Sequence, residues 1–230
     1  MGKHMLVVFT NPVEGQEDEY NRWYSEQHIK DVVAVPGFRA AERFKTQVRM
    51  TGELNHGYVA LYEMDADTLQ EAEATMGRLS NTEMPISDAL NRTDVAVGIF
   101  EAWSPVVTPP NAKPEGTYRF IAMTDALDGR EAEYSEWYNT VHLQDVSSVP
   151  GFTSGRRFKL QKTVSGAFKN NYLALFGLEA STPEAHGAAL QSLGGAQMAK
   201  TDSGRSATAI AATFQSCSEK VSSPHEKATA

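Results

Sequence analysis

The chain carries the same sequence pattern twice, and this repeat limits its fold more than any other feature. Residues 19–45 read EYNRWYSEQHIKDVVAVPGFRAAERFK and residues 133–159 read EYSEWYNTVHLQDVSSVPGFTSGRRFK, with 14 of 27 positions identical and no gap. The match continues at the same offset of 114 residues through residues 58–62 and 172–176. Solenoid units have roughly 20 to 50 residues. Each copy here is longer and can form a domain of its own, so we expect two copies of one domain.

The composition of the remaining segments predicts where these domains end. Residues 1–106 hold the first repeat and residues 118–217 hold the second. Residues 107–117 contain three prolines and a glycine, which predicts an extended linker. Residues 218–230 are mostly small and polar, which predicts a disordered tail.

Charge and motif content argue against several classes of partner. The chain has 29 acidic and 21 basic residues, a net charge of −8, so we expect no nucleic-acid partner. It has neither an apolar run of roughly 18 to 20 residues nor a signal-peptide pattern, so we expect a cytoplasmic protein without a membrane partner. With a single cysteine, Cys217, and no common zinc motif, we expect no metal and no cofactor. The sequence allows a homodimer of two such chains.

Hydrophobic patterning predicts the order β-α-β-β-α-β in each half. The first half is predicted to contain strand 5–10, a helix with an acidic first turn, strands 38–48 and 57–64, helix 68–79, a short helical turn 84–90 and strand 95–103. This order is that of the ferredoxin-like split motif. The predicted fold class is therefore α+β, with two ferredoxin-like repeats that form an intrachain pseudo-dimeric α+β barrel.

One helix and the turn after it resemble a known family. In the first half they carry the aromatic pair Trp23-Tyr24, then His28, then the turn Pro36-Gly37. This pattern, present in both halves, resembles the EthD-like proteins of the dimeric α+β barrel superfamily. The resemblance implies a barrel made of two sheets, with a mostly apolar cavity between each sheet and its helices.

The predicted first helix places polar and aromatic side chains on one face. At 100° per residue, one arc of an unbroken α-helix holds Tyr20, Tyr24, His28, Asp31 and Val35. The second half repeats this arc with Tyr134, Tyr138, His142, Asp145 and Val149. Buried polar groups are costly unless they are paired, so these groups either satisfy one another or bind a ligand.

The functional interpretation makes His28 a general acid or base, because an unperturbed imidazole titrates near physiological pH. Asp31 would fix its tautomer, and Tyr24 would donate a hydrogen bond to a developing oxyanion. In the second half these roles fall to His142, Asp145 and Tyr138. The structural interpretation also stays open: the aromatic side chains pack on the sheet, and the His and Asp hold the end of the helix.

Further candidates for substrate binding come from the strands and the aromatic residues. Arg43 and Arg157 could each clamp a carboxylate or phenolate of a substrate, or lie on an exposed strand face, or pair with the helix carboxylates. The candidate aromatic wall consists of Tyr20, Trp23, Tyr58, Tyr134 and Trp137.

The two copies also differ, and a difference can specialise one half. His56 aligns with Asn170, which makes it a further candidate for acid-base chemistry, although a histidine in such a turn is commonly exposed. The second half has more small residues, so the first half could carry the chemistry while the second completes the wall.

These observations predict a cofactor-independent enzyme of the lyase, isomerase, dehydratase or cyclase type. Its substrate would be a small aromatic or lactone-like molecule, bound in an apolar barrel cavity. One alternative is a haem enzyme or a monooxygenase on the same fold, with His28, His56 or His142 as the axial ligand. The other is a barrel without catalytic activity that binds a hydrophobic ligand, for example a stress-responsive protein.

Overall fold

A closed barrel of eight antiparallel strands forms the centre of the molecule. The structure, a computed structural model, describes residues 3–225. The first half contains β1 (His4–Pro12), α1 (Glu17–Trp23), α2 (Ile29–Val33), β2 (Phe38–Thr51), β3 (Tyr58–Met64), α3 (Leu69–Ser80) and β4 (Leu90–Ala102). The second half contains β5 (Tyr118–Thr124), α4 (Glu131–Trp137), α5 (Leu143–Ser147), β6 (Phe152–Ser165), β7 (Tyr172–Leu178), α6 (Pro183–Gly195), β8 (Ile210–Ser216) and β9 (Val221–Ser222). The predicted mixed α and β barrel is therefore present.

The two halves are joined by hydrogen-bonded strands at two seams. The strand order around the barrel is β3-β1-β4-β6-β7-β5-β8-β2, and β2 pairs again with β3. One seam is the β4–β6 pair and the other is the β2–β8 pair, both antiparallel. Closure leaves no unpaired edge among these eight strands, and an exposed edge would invite pairing with other chains.

Alternation along the strands separates the barrel interior from the face that meets the helices. In β1, Met5, Val7 and Phe9 belong to the interior cluster, whereas Leu6 and Val8 lie on the helix side. Aromatic rings from both halves fill the interior, among them Phe44, Phe100, Phe158 and Phe214. The barrel is therefore a packed core, and the larger apolar spaces against the helices lie outside it.

The helix that follows the first strand of each half is interrupted by a π turn. Tyr24–His28 separates α1 from α2, and the Ile29 N–H donates to the Tyr24 carbonyl five residues earlier. Tyr138–His142 separates α4 from α5 in the same way. Residues after the turn are rotated by about one position, about 100°, relative to an unbroken helix.

The π turn has a physical reason in the residues that it moves. An unbroken helix would carry Asp31 onto the sheet, where its carboxylate would lose water. With one extra residue in the turn, Ile29, Val32 and Val33 pack there instead, and each is at most 3% exposed. The predicted arc is therefore wrong for Asp31, whereas His28 still contacts Tyr24 and Val35 is still buried with Tyr20.

The second helix of each half begins at a threonine cap. Thr68 and Glu71 form a capping box at α3, and Thr182 accepts a hydrogen bond from the Ala185 N–H at α6. The predicted helical turn at residues 84–90 is wrong, because this segment is a loop and β4 already begins at Leu90. The loop passes over the helix, where the Trp23 indole N–H donates to the Pro85 carbonyl.

The end of the chain is ordered as far as the structure describes it. The prediction of a disordered tail is wrong for residues 218–225, since β9 pairs with Ala40 and Ala41 of β2 and His225 Nε2 lies 3.0 Å from the Ala34 carbonyl. Residues 226–230 lie outside the described part. Within the predicted linker, Val107 exchanges two backbone hydrogen bonds with Gly155. The domain boundaries at residues 106 and 118 stay a prediction.

Within residues 3–225, no helix has both the length and the apolar content needed to cross a membrane.

Candidate functional site

In each half, a cavity lies between the helices and the outer face of the barrel. The first side cavity has a volume of about 370 Å³, and its wall includes Leu6, Val8, Thr10, Tyr24, His28 and Tyr62. The second side cavity has a volume of about 330 Å³, and its wall includes the aligned residues Phe120, Ala122, Thr124, Tyr138, His142 and Phe176. The two cavities occupy equivalent places in the two halves, and both have the size of a site for a small molecule.

His28 lies at the wall of the first side cavity, directly after the Tyr24 turn. Its ring stacks on Trp23 at a centroid distance of 4.6 Å and meets the edge of Tyr24 at 4.9 Å. Its Nδ1 is buried and has no hydrogen-bond partner among the described residues, which leaves Nε2 for a ligand. Burial, together with the nearby Arg43 guanidinium, lowers the pKa of His28 from 6.5 to about 4. The imidazole is therefore neutral at pH 7 and can accept a proton.

Two tyrosine hydroxyls meet beside this histidine. The oxygens of Tyr24 and Tyr62 lie 3.2 Å apart and share a hydrogen bond. Burial raises the pKa of both phenols, so both stay protonated at neutral pH. One of the two phenol protons forms the hydrogen bond between the hydroxyls. The other phenol proton remains available for a ligand oxygen.

Behind Tyr24 lies a fully buried guanidinium. Arg43 is 1% exposed, and its Cζ lies 4.1 Å from the centre of the Tyr24 ring. Its Nη1 donates to Ser25 and its Nη2 donates to Asn21. The predictions of an exposed strand face and of a pair with Asp31 are wrong for this residue. Arg43 does not reach the cavity wall, so a direct clamp on a substrate would need a rearrangement.

The carboxylates predicted to orient the histidines lie elsewhere. Because the π turn rotates α2, Asp31 is not on the face that carries Tyr24, and Nδ1 of His28 receives no bond from it. In the second half, Asp145 accepts a hydrogen bond from the Ala199 N–H. Neither carboxylate fixes the tautomer of its histidine, and the predicted roles of Asp31 and Asp145 are not supported.

The second side cavity repeats the histidine but not the pair of phenols. His142 stacks on Trp137 at 4.7 Å, and burial lowers its pKa with a smaller contribution from Arg157, against the opposing charge of Asp145. Phe176 aligns with Tyr62 and carries no hydroxyl. Tyr138 therefore has no phenol from that position beside it, and the two cavities differ in the donors that they offer.

Arg157, the counterpart of Arg43, is less well satisfied. It is fully buried over the ring of Tyr172, and its guanidinium Nη1 donates to Asn139 at 3.4 Å. In the described part of the chain its Nε and Nη2 have no acceptor. Burial lowers its pKa, and like Arg43 it does not line a cavity.

Five other predicted residues line a cavity, support one or lie apart from both. Tyr20 is fully buried and shares a hydrogen bond with Thr10, while the Tyr58 hydroxyl donates to the Glu17 carboxylate at the start of α1. His56 lies in neither side cavity; its Nε2 is 3.1 Å from Asp94, and burial lowers its pKa despite this carboxylate. The aligned Tyr134 and Trp137 do line the second side cavity.

Sequence reasoning missed Tyr62 and Arg205, which line the first and second cavities respectively. A signal for Tyr62 exists, because the aligned segments end in Tyr62 and Phe176. Within residues 3–225, no group of three or more His, Cys, Asp and Glu side chains is placed to hold a metal ion.

Comparison with known proteins shows the fold. No family model matches the chain, and no curated protein matches its sequence. Among solved structures, the chain is similar to an anthrone oxidase-like protein, with a TM-score of 0.60, 13% identity, and coverage of 99% of this chain and 95% of that one. It is also similar to a mutant chlorite dismutase from Candidatus Nitrospira defluvii, with a TM-score of 0.51, 10% identity, and coverage of 93% and 91%.

A third similar structure is a protein from Lactobacillus acidophilus provisionally described as a monooxygenase, with a TM-score of 0.49, 12% identity and 96% coverage of both chains. The chain shares the dimeric α+β barrel fold with the first two of these structures, and at 13% and 10% identity the likeness shows the fold alone.

Proposed function

We propose that the protein is a cofactor-independent acid-base enzyme that works in the first side cavity. The observation that carries this proposal is the placement of a neutral, buried imidazole and a pair of phenols on one apolar wall. The substrate would be a small aromatic or lactone-like molecule. The reaction would be of the lyase, isomerase, dehydratase or cyclase type, beginning with loss of a proton from carbon or from a phenol.

His28 is the base in this proposal. A neutral imidazole accepts the proton through Nε2, and the negative charge that forms on the substrate then stabilises the imidazolium beside it. The apolar wall supports this transfer, because an ion pair attracts more strongly where water is excluded. General base catalysis of this kind contributes roughly 10²- to 10⁴-fold.

The pair Tyr24–Tyr62 is the oxyanion donor. Its free phenol proton can bond the oxygen on which negative charge accumulates when an aromatic ketone or phenol loses a proton. The Arg43 cation over the Tyr24 ring favours this role, because a nearby positive charge makes a phenol a stronger hydrogen-bond donor. Arg43 thus supports the donor from behind.

The finer family assignment belongs to the same proposal. We infer that the chain is a tandem fusion of two EthD-like, ferredoxin-like units, from the repeated aromatic-histidine helix and the repeated order β-α-β-β-α-β. A cytoplasmic location and a homodimer of two such chains stay part of this inference.

Haem does not fit these residues well. An axial histidine normally donates its second ring N–H to an acceptor, but Nδ1 of His28 and of His142 have none among the described residues. The wall of the first side cavity also offers no arginine or lysine for the haem carboxylates. A Soret band in protein purified from haem-supplied cells would restore this alternative.

The test measures the proton transfer itself. Anthrone is a suitable first probe, because it is a tricyclic aromatic ketone with an acidic CH₂ group, and one structural neighbour is described as anthrone oxidase-like. In deuterium oxide without oxygen, mass spectrometry follows exchange at this carbon. We expect His28→Ala to lower the enzyme-dependent exchange by about 100-fold, and the matched His142→Ala to leave it within about two-fold.

Three outcomes would count against the proposal. Equal exchange in the wild type and His28→Ala would remove the base. Saturable binding without exchange, across a set of aromatic ketones and lactones, would favour the barrel that only binds a hydrophobic ligand. Oxygen consumption that depends on the enzyme would instead indicate the monooxygenase alternative.

A further inference from the structure

We propose that the second side cavity is a separate binding site for an aromatic carboxylate of one or two rings. This site does not depend on catalysis in the first side cavity, because different residues form it. The two equivalent cavities differ at the positions that form this site.

The first difference is the character of the wall. The second side cavity is lined by five aromatic rings, those of Phe120, Tyr134, Trp137, Tyr138 and Phe176. The equivalent wall of the first side cavity has Tyr24 and Tyr62 and is otherwise mainly aliphatic. Aromatic rings prefer offset-stacked and edge-to-face contacts with one another. A ligand with a flat aromatic body therefore suits the second cavity better than the first.

The second difference is charge. Arg205 lines the second side cavity, whereas the residues that line the first side cavity include no arginine, lysine, aspartate or glutamate. The guanidinium of Arg205 currently bonds Asp128, whose side chain is 97% exposed. An exposed ion pair of this kind contributes little free energy. A ligand carboxylate can replace Asp128 and accept two parallel bonds from the guanidinium.

Backbone pairing holds Arg205 at this place. Gly204 forms an isolated bridge with Ala126, and the Arg205 N–H donates to the Asp125 carbonyl at 2.8 Å. A Cβ on Gly204 would lie only 2.9 Å from the Tyr134 ring, so glycine allows the loop to approach the cavity. The aligned residues in the first half are Leu90 and Asn91, which fill space and carry no charge.

Unsatisfied donors nearby point to a ligand with acceptor oxygens. The indole N–H of Trp137 is buried and has no acceptor in the described part of the chain, whereas the equivalent Trp23 N–H donates to the Pro85 carbonyl. Arg157 lies behind the Tyr138 ring at 4.5 Å, with two nitrogens that also lack acceptors. Positive charge behind the wall favours an anion in front of it.

The experiment compares 2-naphthoate with its neutral methyl ester by isothermal titration calorimetry on the full chain. We expect saturable binding of 2-naphthoate, and we expect Arg205→Gln to weaken it by about ten-fold while changing ester binding by less than two-fold. Equal naphthoate affinity in the wild type and Arg205→Gln would overturn the proposal, as would the absence of naphthoate binding.

A matched pair of variants assigns the site to one cavity. Val97 and Ala211 occupy equivalent wall positions, so Val97→Phe narrows the first cavity and Ala211→Phe narrows the second. We expect only Ala211→Phe to abolish naphthoate binding, and circular dichroism checks that both variants fold. Loss of binding in Val97→Phe alone would place the ligand in the first cavity and contradict the proposal. Exchange of anthrone is measured separately, so a failure here leaves the acid-base proposal intact.

Discussion

The hydroxyl of Tyr62 lies 3.2 Å from the hydroxyl of Tyr24. This contact is specific to the first half, since Phe176 stands at the position of Tyr62 in the second half. The repeat therefore contains its own comparison, in which one cavity has the pair of phenols and the other does not.

Replacing Tyr62 with Phe gives the first half the residue that the second half has at this position. We expect Tyr62→Phe to lower anthrone exchange by about ten-fold, because Tyr24 loses the hydroxyl that polarises it. The loss of one hydrogen bond costs about 1 kcal/mol of stability, which urea unfolding measures. As a control, Phe176→Tyr leaves the exchange in the first cavity unchanged. An unaltered rate in Tyr62→Phe would show that the second phenol has no part in the donor.

Stability should depend on pH through His28. Its pKa is about 4 in the folded chain and about 6.5 when unfolded, so the unfolded chain binds the proton more readily. This contribution is complete above pH 6.5 and is lost as the pH falls towards 4. It amounts to about 3 kcal/mol. Urea unfolding between pH 7 and pH 4.5 measures it, and His28→Gln should flatten the curve. Parallel curves for both proteins would contradict the low pKa.

Activity should depend on pH differently from that of an ordinary histidine base. Since the neutral form of His28 accepts the proton, kcat/KM for anthrone exchange should be constant from pH 8 down to about pH 5 and fall only near pH 4. Initial exchange rates at low anthrone concentration measure this profile. An inflection near pH 6.5 would indicate an imidazole that is not desolvated.

The two buried arginines should respond differently to the same substitution. Arg43 donates to Ser25 and Asn21, whereas Arg157 has two nitrogens without an acceptor. Losing Arg43 leaves two partly buried acceptors without this donor, so we expect Arg43→Met to cost about 2 to 4 kcal/mol. Arg157→Met removes an unsatisfied cation and should cost less than about 1 kcal/mol. Urea unfolding compares the pair, and equal losses would show that unpaired donors do not govern these sites.

The strands and helices of each half are predicted well from the sequence, because they depend on local patterns. The strand predicted at residues 5–10 and the helix predicted at residues 68–79 follow from short-range rules, and both are present as β1 and α3. The phase of the first helix could not be predicted, since the π turn is a response to which residues the sheet accepts. The π turn places Val32 instead of Asp31 on the inner face, a stabilising change that only tertiary packing reveals.

Burial of charge was the other point at which sequence reasoning failed. Arg43 and Lys45 alternate with Phe44 as in an exposed strand, yet Arg43 is buried because three tyrosine rings surround its guanidinium. Two of these tyrosines come from the helix, far from β2 in sequence. Arg205 was missed for a similar reason, because a loop after α6 brings it to the cavity.

The two seams, β4 with β6 and β2 with β8, determine which two halves can pair to form a barrel. A chain cut between the halves would leave each half with two open strand edges, and each edge could pair with a like or an unlike partner. Free halves would therefore form a mixture, in which some barrels have two His28 cavities and others have two Arg205 cavities. Because the two halves are joined in one chain, this mixture does not form. Every molecule holds one cavity of each kind, in a fixed ratio that does not depend on concentration.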